Sequence, residues 1–142
     1  MIQYKAPAKI NLFLKVRGKR SDGFHELFML MDKIPLYDYL SFEKKKGSEI
    51  VLKVEGKEIL GDNLILKAAR LYQEYFQVSG GYQIHLEKNI PIGAGLGGGS
   101  SDAATTLLAL RDLYGYGTLT ELDKIASSIG SDVPFFLRQG AC

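Results

Sequence analysis

The sequence predicts a two-layer α+β domain in which strands come first and helices follow. Three observations support this prediction. Apolar and polar residues alternate in the first half of the chain, apolar residues recur about every 3.6 positions in the second half, and a glycine-rich segment separates a strand pattern from a helix pattern. Because alternation is typical of half-buried strands and the longer period of amphipathic helices, we expect the helices to cross back over one sheet.

Three alternating runs are predicted to be strands: residues 9–16, 49–55 and 82–88. Their apolar faces are Ile10, Leu12, Leu14 and Val16 in the first, Ile50, Leu52 and Val54 in the second, and Tyr82, Ile84 and Leu86 in the third. The run Lys44-Lys45-Lys46 before Gly47 is interpreted as the solvated tip of a hairpin.

Three periodic runs are predicted to be helices. Asp62 or Asn63 can cap the first, and Thr120 to Asp123 resembles a capping box that opens the third, which ends at Gly130. The second follows the glycine-rich segment and ends at Gly115. The expected apolar faces are Leu64, Ala68, Leu71 and Tyr75; then Ala103, Ala104, Leu107, Leu108, Leu110, Leu113 and Tyr114; then Leu122, Ile125, Ala126 and Ile129.

Composition indicates an ordinary globular domain. The chain has 142 residues, 46% hydrophobic and 24% charged, with a net charge of +2, which is too small to indicate a nucleic-acid partner. Residues 1–5 lack the apolar core of a signal peptide, and no run is long enough to span a membrane. The one cysteine, Cys142, cannot form an internal disulfide, so a cytoplasmic location without membrane contact is expected.

The glycine-rich segment predicts a phosphate-binding turn. Glycines allow the backbone to approach an anion, and the following helix adds unpaired N–H groups and the positive end of its dipole. A flexible linker is the alternative, but periodic apolar runs flank this segment tightly. The residues concerned are Pro91, Ile92, Gly93, Ala94, Gly95, Leu96, Gly97, Gly98, Gly99, Ser100 and Ser101.

Other phosphate motifs fit less well. Gly93, Gly95 and Gly98 match the dinucleotide pattern G-x-G-x-x-G, but the acidic residue about 20 positions on, Asp112, lies inside a predicted helix. A Walker A loop needs Lys where Gly99 stands. Protein-kinase H-R-D and D-F-G sequences are absent.

Three smaller clusters are candidate site elements. Lys9 and Asn11 share one face of the first strand, which fits either a site or a solvent-facing polar row. Phe24 and His25 offer an aromatic surface and an imidazole that could bind a ligand; the alternative is a turn that leads into a strand. Asp132 follows a predicted helix and precedes residues 133–136, interpreted as an apolar strand, so it could also merely order a turn. No Cys or His spacing indicates a structural metal.

Four motifs in order, at residues 7–11, 23–25, 91–102 and 131–136, resemble the GHMP small-molecule kinase superfamily. The resemblance covers residues 6–137. It implies a fold like ribosomal protein S5 domain 2, with a left-handed βαβ crossover. It also implies ATP and Mg²⁺ as cofactors and transfer of the γ-phosphate to the C2 tertiary hydroxyl of a cytidine diphosphate-linked methylerythritol in isoprenoid biosynthesis.

The resemblance also assigns residues. Lys9 and Asp132 match the catalytic pair, Asp132 as the base and Lys9 as its electrostatic partner. Asn11, Phe24 and His25 match substrate-binding positions, with His25 at the cytosine edge and Phe24 where relatives commonly have Tyr. Residues 91–101 match the ATP-phosphate loop, and Asn63 matches a helix start near the adenine. The Mg²⁺ ligand is not identified; Ser101 is a candidate.

The resemblance further implies that residues 1–142 form the N-terminal, ATP-binding and catalytic domain, and that a second domain of the family is absent from this chain. The isolated piece is therefore expected to have little or no kinase activity. Another class of function stays open: a non-catalytic nucleotide- or RNA-binding module of the same fold, which would not need Asp132.

Overall fold

The computed structural model describes residues 2–19, 25–55, 57–58 and 63–138. Within these ranges the elements, in chain order, are β1 (Ile2–Lys19), β2 (His25–Lys45), β3 (Ile50–Val54), β4 (Lys57–Glu58), α1 (Leu64–Phe76), β5 (Gly81–Glu87), α2 (Gly98–Tyr114), α3 (Leu119–Ile129) and α4 (Val133–Phe136). The predicted order of strands first and helices after them is confirmed, apart from β5 between the first two helices.

The sheet has the strand order β1-β2-β5-β3-β4. Strand β5 lies antiparallel to β2 and parallel to β3, and the chain passes from β3 to β5 through α1. This mixed sheet with helices confirms the α+β class. The predicted hairpin at Lys44 to Lys46 is wrong, because β5 separates β2 from β3; the three lysines are nevertheless exposed.

An irregularity in the pairing of β1 with β2 precedes Lys9. Pro7 lies opposite Tyr37, whereas the next residue, Ala8, lies opposite Ile34, so β2 carries extra residues at this point. One of them is Pro35, which has no N–H for a ladder and is tolerated at a bulge. The bulge lies one residue before Lys9.

The core lies between the sheet and the helices. Tyr82, Ile84 and Leu86 of β5 are buried, as their alternation predicts. In α1 the prediction for Tyr75 is wrong: it is 44% exposed, and Tyr72 is buried instead. No helix in the described ranges combines the length and apolar character needed to cross a bilayer.

Helix ends follow the predicted residue types with one shift. Asn63 caps α1, its Oδ1 accepting from the Ile65 amide at 2.8 Å. The capping box of α3 is formed by Thr118 and Glu121, two positions earlier than predicted, because this pair makes both reciprocal bonds, at 3.2 and 3.0 Å. Gly115 and Gly130 follow the ends of α2 and α3 as predicted.

The apolar segment after Asp132 is the short helix α4, so the strand interpretation of residues 133–136 is wrong. Pro134 stands in its first turn, where the fixed φ of proline suits a helix and its missing N–H costs nothing. A four-residue apolar run has too few positions to show a period, so the sequence alone does not separate the two structures.

Candidate functional site

The glycine-rich segment lies between β5 and α2, where the sequence places it. Gly93, Gly95 and Gly97 have φ values of 74°, 74° and 70°, in the left-handed region that favours glycine. Helix α2 begins at Gly98, so Gly98 and Gly99 are its first residues rather than part of the loop. Gly97 caps the helix without a side chain, which leaves the first N–H groups of α2 facing the loop.

A cavity of about 410 Å³ lies beside this loop. Every residue from 91 to 100 lines it, together with Asn63, Lys88 and Asp102. Ser101 does not line it. Apolar side chains complete the wall: Val54, Leu64, Ile65 and Leu86. The cavity thus joins a backbone cradle for an anion to an apolar wall on the side of α1.

Lys9 is held against the same loop by its backbone and by its side chain. Its amide donates to the Leu96 carbonyl at 2.8 Å. A Cβ at Gly97 would lie only 2.9 Å from Lys9 Cγ and 3.0 Å from Phe136 Cζ, so the lysine stem packs directly on the glycine. Lys9 is 6% exposed, which makes the interpretation of a solvent-facing polar row wrong for this residue.

The structure brings Lys9, Asn11 and Asp132 together. Lys9 Nζ donates to Asn11 Oδ1 at 3.3 Å and lies 4.0 Å from Asp132 Oδ2. Asp132 is the residue before α4 and its side chain does not cap the helix, so the carboxylate remains open to a ligand. A cation, an amide and a partly exposed carboxylate thus meet at the end of the glycine loop.

The other candidate residues are placed less fully. Asn63 is the N-cap residue of α1 and lines the cavity. Phe24 lies outside the described residues. His25 is the first residue of β2, paired with Lys19, and its side chain lies outside the described part.

Sequence reasoning missed a buried charged cluster behind the loop. Lys88 Nζ donates to Asp38 Oδ2 at 2.6 Å and to Asp102 Oδ2 at 3.1 Å. One local signal was available: Asp38 shares the inward face of β2 with Leu40 and Phe42, where alternation predicts an apolar residue.

The cluster changes the protonation of its carboxyl groups. Burial and the hydrogen bond with Asp38 raise the pKa of Asp102 to about 8. Burial alone would raise the pKa of Asp38 as well, but hydrogen bonds from Asp102, the Ile90 amide and Lys88 lower it overall. The two shifts have opposite directions, so Asp102 keeps its proton to higher pH than Asp38 does.

We expect Asp102→Asn to make the protein less sensitive to pH. The folded state keeps a proton on Asp102 between about pH 4 and 8 that the unfolded chain has lost, so this group lowers the free energy of unfolding as pH rises. Across that window the free energy of unfolding of the asparagine variant should rise relative to that of the wild type, by at most about 1.4 kcal/mol per pH unit. Urea unfolding at pH 5, 6, 7 and 8 measures the difference.

Asp112→Asn is the matched control, since Asp112 is an exposed carboxylate at the other end of the same helix. The difference in free energy of unfolding between this variant and the wild type should stay nearly constant with pH. Equal pH profiles for the two variants would show that Asp102 is ionised in the folded protein.

The Oγ of Ser101, at the start of α2, is buried without a partner. Ser101 lies one turn after Gly97, the glycine on which the Lys9 stem packs. Within the described residues, no group of three or more His, Cys, Asp or Glu side chains is arranged to hold a metal ion.

Comparison with known proteins gives consistent results. The family described as "GHMP kinases N terminal domain" matches residues 63–140. A "4-diphosphocytidyl-2-C-methyl-D-erythritol kinase" from a strain of Prochlorococcus marinus is 55% identical over 139 residues, covering 95% of this chain and 44% of the relative. The protein of the same name from Shewanella piezotolerans is 47% identical and covers 95% and 49%.

Solved structures show the same fold. A crystal structure of 4-(cytidine 5'-diphospho)-2C-methyl-D-erythritol kinase superposes with a TM-score of 0.83 at 46% identity, covering 96% of this chain and 48% of that one. A mevalonate kinase has a TM-score of 0.72 at 20% identity, covering 91% and 46%, and shows the fold alone. The chain thus spans about half the length of the curated relatives it matches.

Proposed function

Because the chain belongs to the GHMP kinase family, whose N-terminal domain it carries, we propose that the protein transfers the γ-phosphate of ATP to the C2 hydroxyl of 4-diphosphocytidyl-2-C-methyl-D-erythritol. The observation that carries the proposal is the contact between the glycine loop and Lys9, which sets the Lys9–Asp132 pair at the end of a phosphate cradle. The names of relatives at 47–55% identity supply the substrate.

In this proposal the cavity beside the loop holds ATP. The triphosphate lies along residues 91–100, where left-handed glycines turn successive amides toward an anion and the start of α2 adds its dipole. The apolar wall beyond, next to Asn63, suits the adenine ring. Phosphoryl transfer depends mainly on positioning and charge stabilisation, and the backbone amides of this cradle would contribute to both.

Mg²⁺ enters the proposal as the companion of the nucleotide phosphates. Ser101 Oγ is the candidate oxygen ligand for this ion, which prefers hard oxygen donors; it lacks a partner, but it is fully buried and does not line the cavity, so in this conformation it does not face the nucleotide. Bound with the nucleotide, the ion would supply neutralisation of phosphate charge.

Asp132 is proposed as the base and Lys9 as the cation beside it. A tertiary hydroxyl is a poor nucleophile, so the Asp132 carboxylate accepts its proton as the oxygen bonds to phosphorus. The Lys9 ammonium, 4.0 Å from that carboxylate, stabilises the negative charge at the reacting centre. Asn11 binds the methylerythritol part, and Phe24 and His25 bind cytosine by stacking and at its edge.

The full-length protein tests the function. With ATP and Mg²⁺, we expect kcat/KM for 4-diphosphocytidyl-2-C-methyl-D-erythritol to exceed that for mevalonate by at least about 10³-fold, because buried polar groups of a matched site reject a substrate that leaves them unpaired. Coupled ADP release gives the rates, and phosphorus NMR identifies the C2 phosphate monoester. ATP binding without transfer to any alcohol would favour the non-catalytic module.

A further inference from the structure

The Asp38–Lys88–Asp102 cluster touches both ends of the glycine loop, although none of its members belongs to the loop. On the strand side, Asp38 Oδ1 accepts from the amides of Asn89 and Ile90, at 2.7 and 2.8 Å. These are the last two residues before Pro91. One carboxylate oxygen therefore fixes the backbone direction with which the chain leaves β5.

On the helix side, Asp102 lies in α2 four residues after Gly98 and accepts from Lys88 at 3.1 Å. Lys88 reaches it by passing over Gly98, where a Cβ would lie 2.8 Å from Lys88 Nζ. The glycine at this position thus leaves room for the lysine as well as for the loop. The ammonium links the end of β5 to the first turns of α2.

The bond between Lys88 and Asp38, at 2.6 Å, closes the connection. Asp38 is fully buried and Asp102 is 2% exposed, so these charge-assisted bonds are shielded from water and gain strength. Residues 91–97 therefore connect two fixed points, the end of β5 and the first turns of α2, and the buried cluster bonds these two points to each other.

We propose that Asp38 is a positioning residue for ATP, which acts through Lys88 and Asp102 to hold the glycine loop in its phosphate-binding shape. This rests on the proposed function, since the ligand of the loop is taken to be ATP. The loop glycines are free to adopt many backbone conformations, and ordering them when the nucleotide binds would cost affinity. A cluster that orders the loop beforehand removes that cost.

The test compares Asp38→Ala with Asp38→Asn in the full-length protein. Asparagine keeps an oxygen for the two amides but loses the charge that faces Lys88, whereas alanine loses both. We expect Asp38→Ala to raise the Kd of Mg²⁺ and the ATP analogue β,γ-imido-ATP by about 10- to 100-fold, and Asp38→Asn by a smaller factor. Calorimetry measures Kd without turnover.

Kinetics add a second readout. KM for ATP should rise with Kd, while kcat and the KM for the alcohol change by less than about threefold, because the reacting groups are untouched. The control is Tyr72→Phe, which removes a part-buried 2.6 Å bond from the Tyr72 hydroxyl to the Tyr116 carbonyl, away from the loop. It should lower Tm without changing the Kd of the analogue.

If the Asp38 variants lose Tm as Tyr72→Phe does but bind the analogue like the wild type, the cluster is only structural and the proposal is wrong. If Asp38→Ala does not fold, Asp38→Asn decides the question alone by the same comparison. A wild type that binds no analogue would instead contradict the proposed function.

Discussion

Replacing Asp132 with asparagine in the full-length protein is expected to lower kcat by about 10²- to 10⁴-fold, the range for loss of a general base. Asparagine keeps the size of the side chain and removes its capacity to accept the hydroxyl proton. The side chain makes no capping bond to α4, so the fold should tolerate the change. Substrate Kd, measured by calorimetry, should change little.

Lys9→Met extends this prediction to the other member of the pair. Methionine fills the space of the lysine stem against Gly97 but carries no charge. It should also lower kcat, and the double variant should cost much less than the product of the two single effects, because groups that act on one reacting centre are not additive.

The matched control is Asp123→Asn, which removes another part-exposed carboxylate, paired with Arg138 at 3.3 Å. Its kcat should stay within about twofold of the wild type, since exposed ion pairs contribute little. A wild-type kcat for Asp132→Asn would exclude the base role and leave Asp132 as a turn residue.

Gly97→Ala is expected to lower both stability and kcat, because it combines backbone strain with a steric clash. A left-handed residue with a Cβ costs about 1–2 kcal/mol, and φ at Gly97 is 70°. The added methyl would also lie 2.9 Å from Lys9 Cγ and 3.0 Å from Phe136 Cζ. Relief of these contacts displaces the lysine, so kcat should fall at least about tenfold, because small misplacements of reacting groups are costly.

Gly95→Ala separates the two causes. Its φ of 74° is nearly the same, but the space around its Cβ position is open within 4 Å. Urea unfolding without nucleotide should show the backbone cost alone for Gly95→Ala and a clearly greater loss for Gly97→Ala. Equal losses would mean that Lys9 and Phe136 move aside freely.

Much of the fold could be predicted because its signals are local. Alternation in β3 and β5, the Asn63 cap and the terminal Gly115 each depend on a few adjacent residues. The capping box was misplaced because Thr118 and Thr120 both precede an acidic residue at the required spacing. Helix α4 cannot be distinguished from a strand in the sequence, because four apolar residues show no period.

The site was predictable where a motif carries it and not where distant residues meet. The turn between β5 and α2 follows from the glycines of that segment, three of which have positive φ. Lys88 and Asp38 are 50 positions apart, and no local pattern indicates that they form an ion pair. The burial of Lys9 could not be predicted either, because it depends on the packing of Gly97 and Phe136 against the lysine side chain.

The strand order has a consequence for how the chain folds. Strands β2 and β3 are consecutive in sequence, yet β5 pairs with both, so they cannot seed the sheet as a hairpin. Until residues 81–87 have been synthesised and α1 has crossed over, β2 and β3 each keep an unpaired edge. Such nonlocal pairing slows folding and exposes strand edges that aggregate. We therefore expect the nascent chain to be most prone to aggregation just before β5 leaves the ribosome.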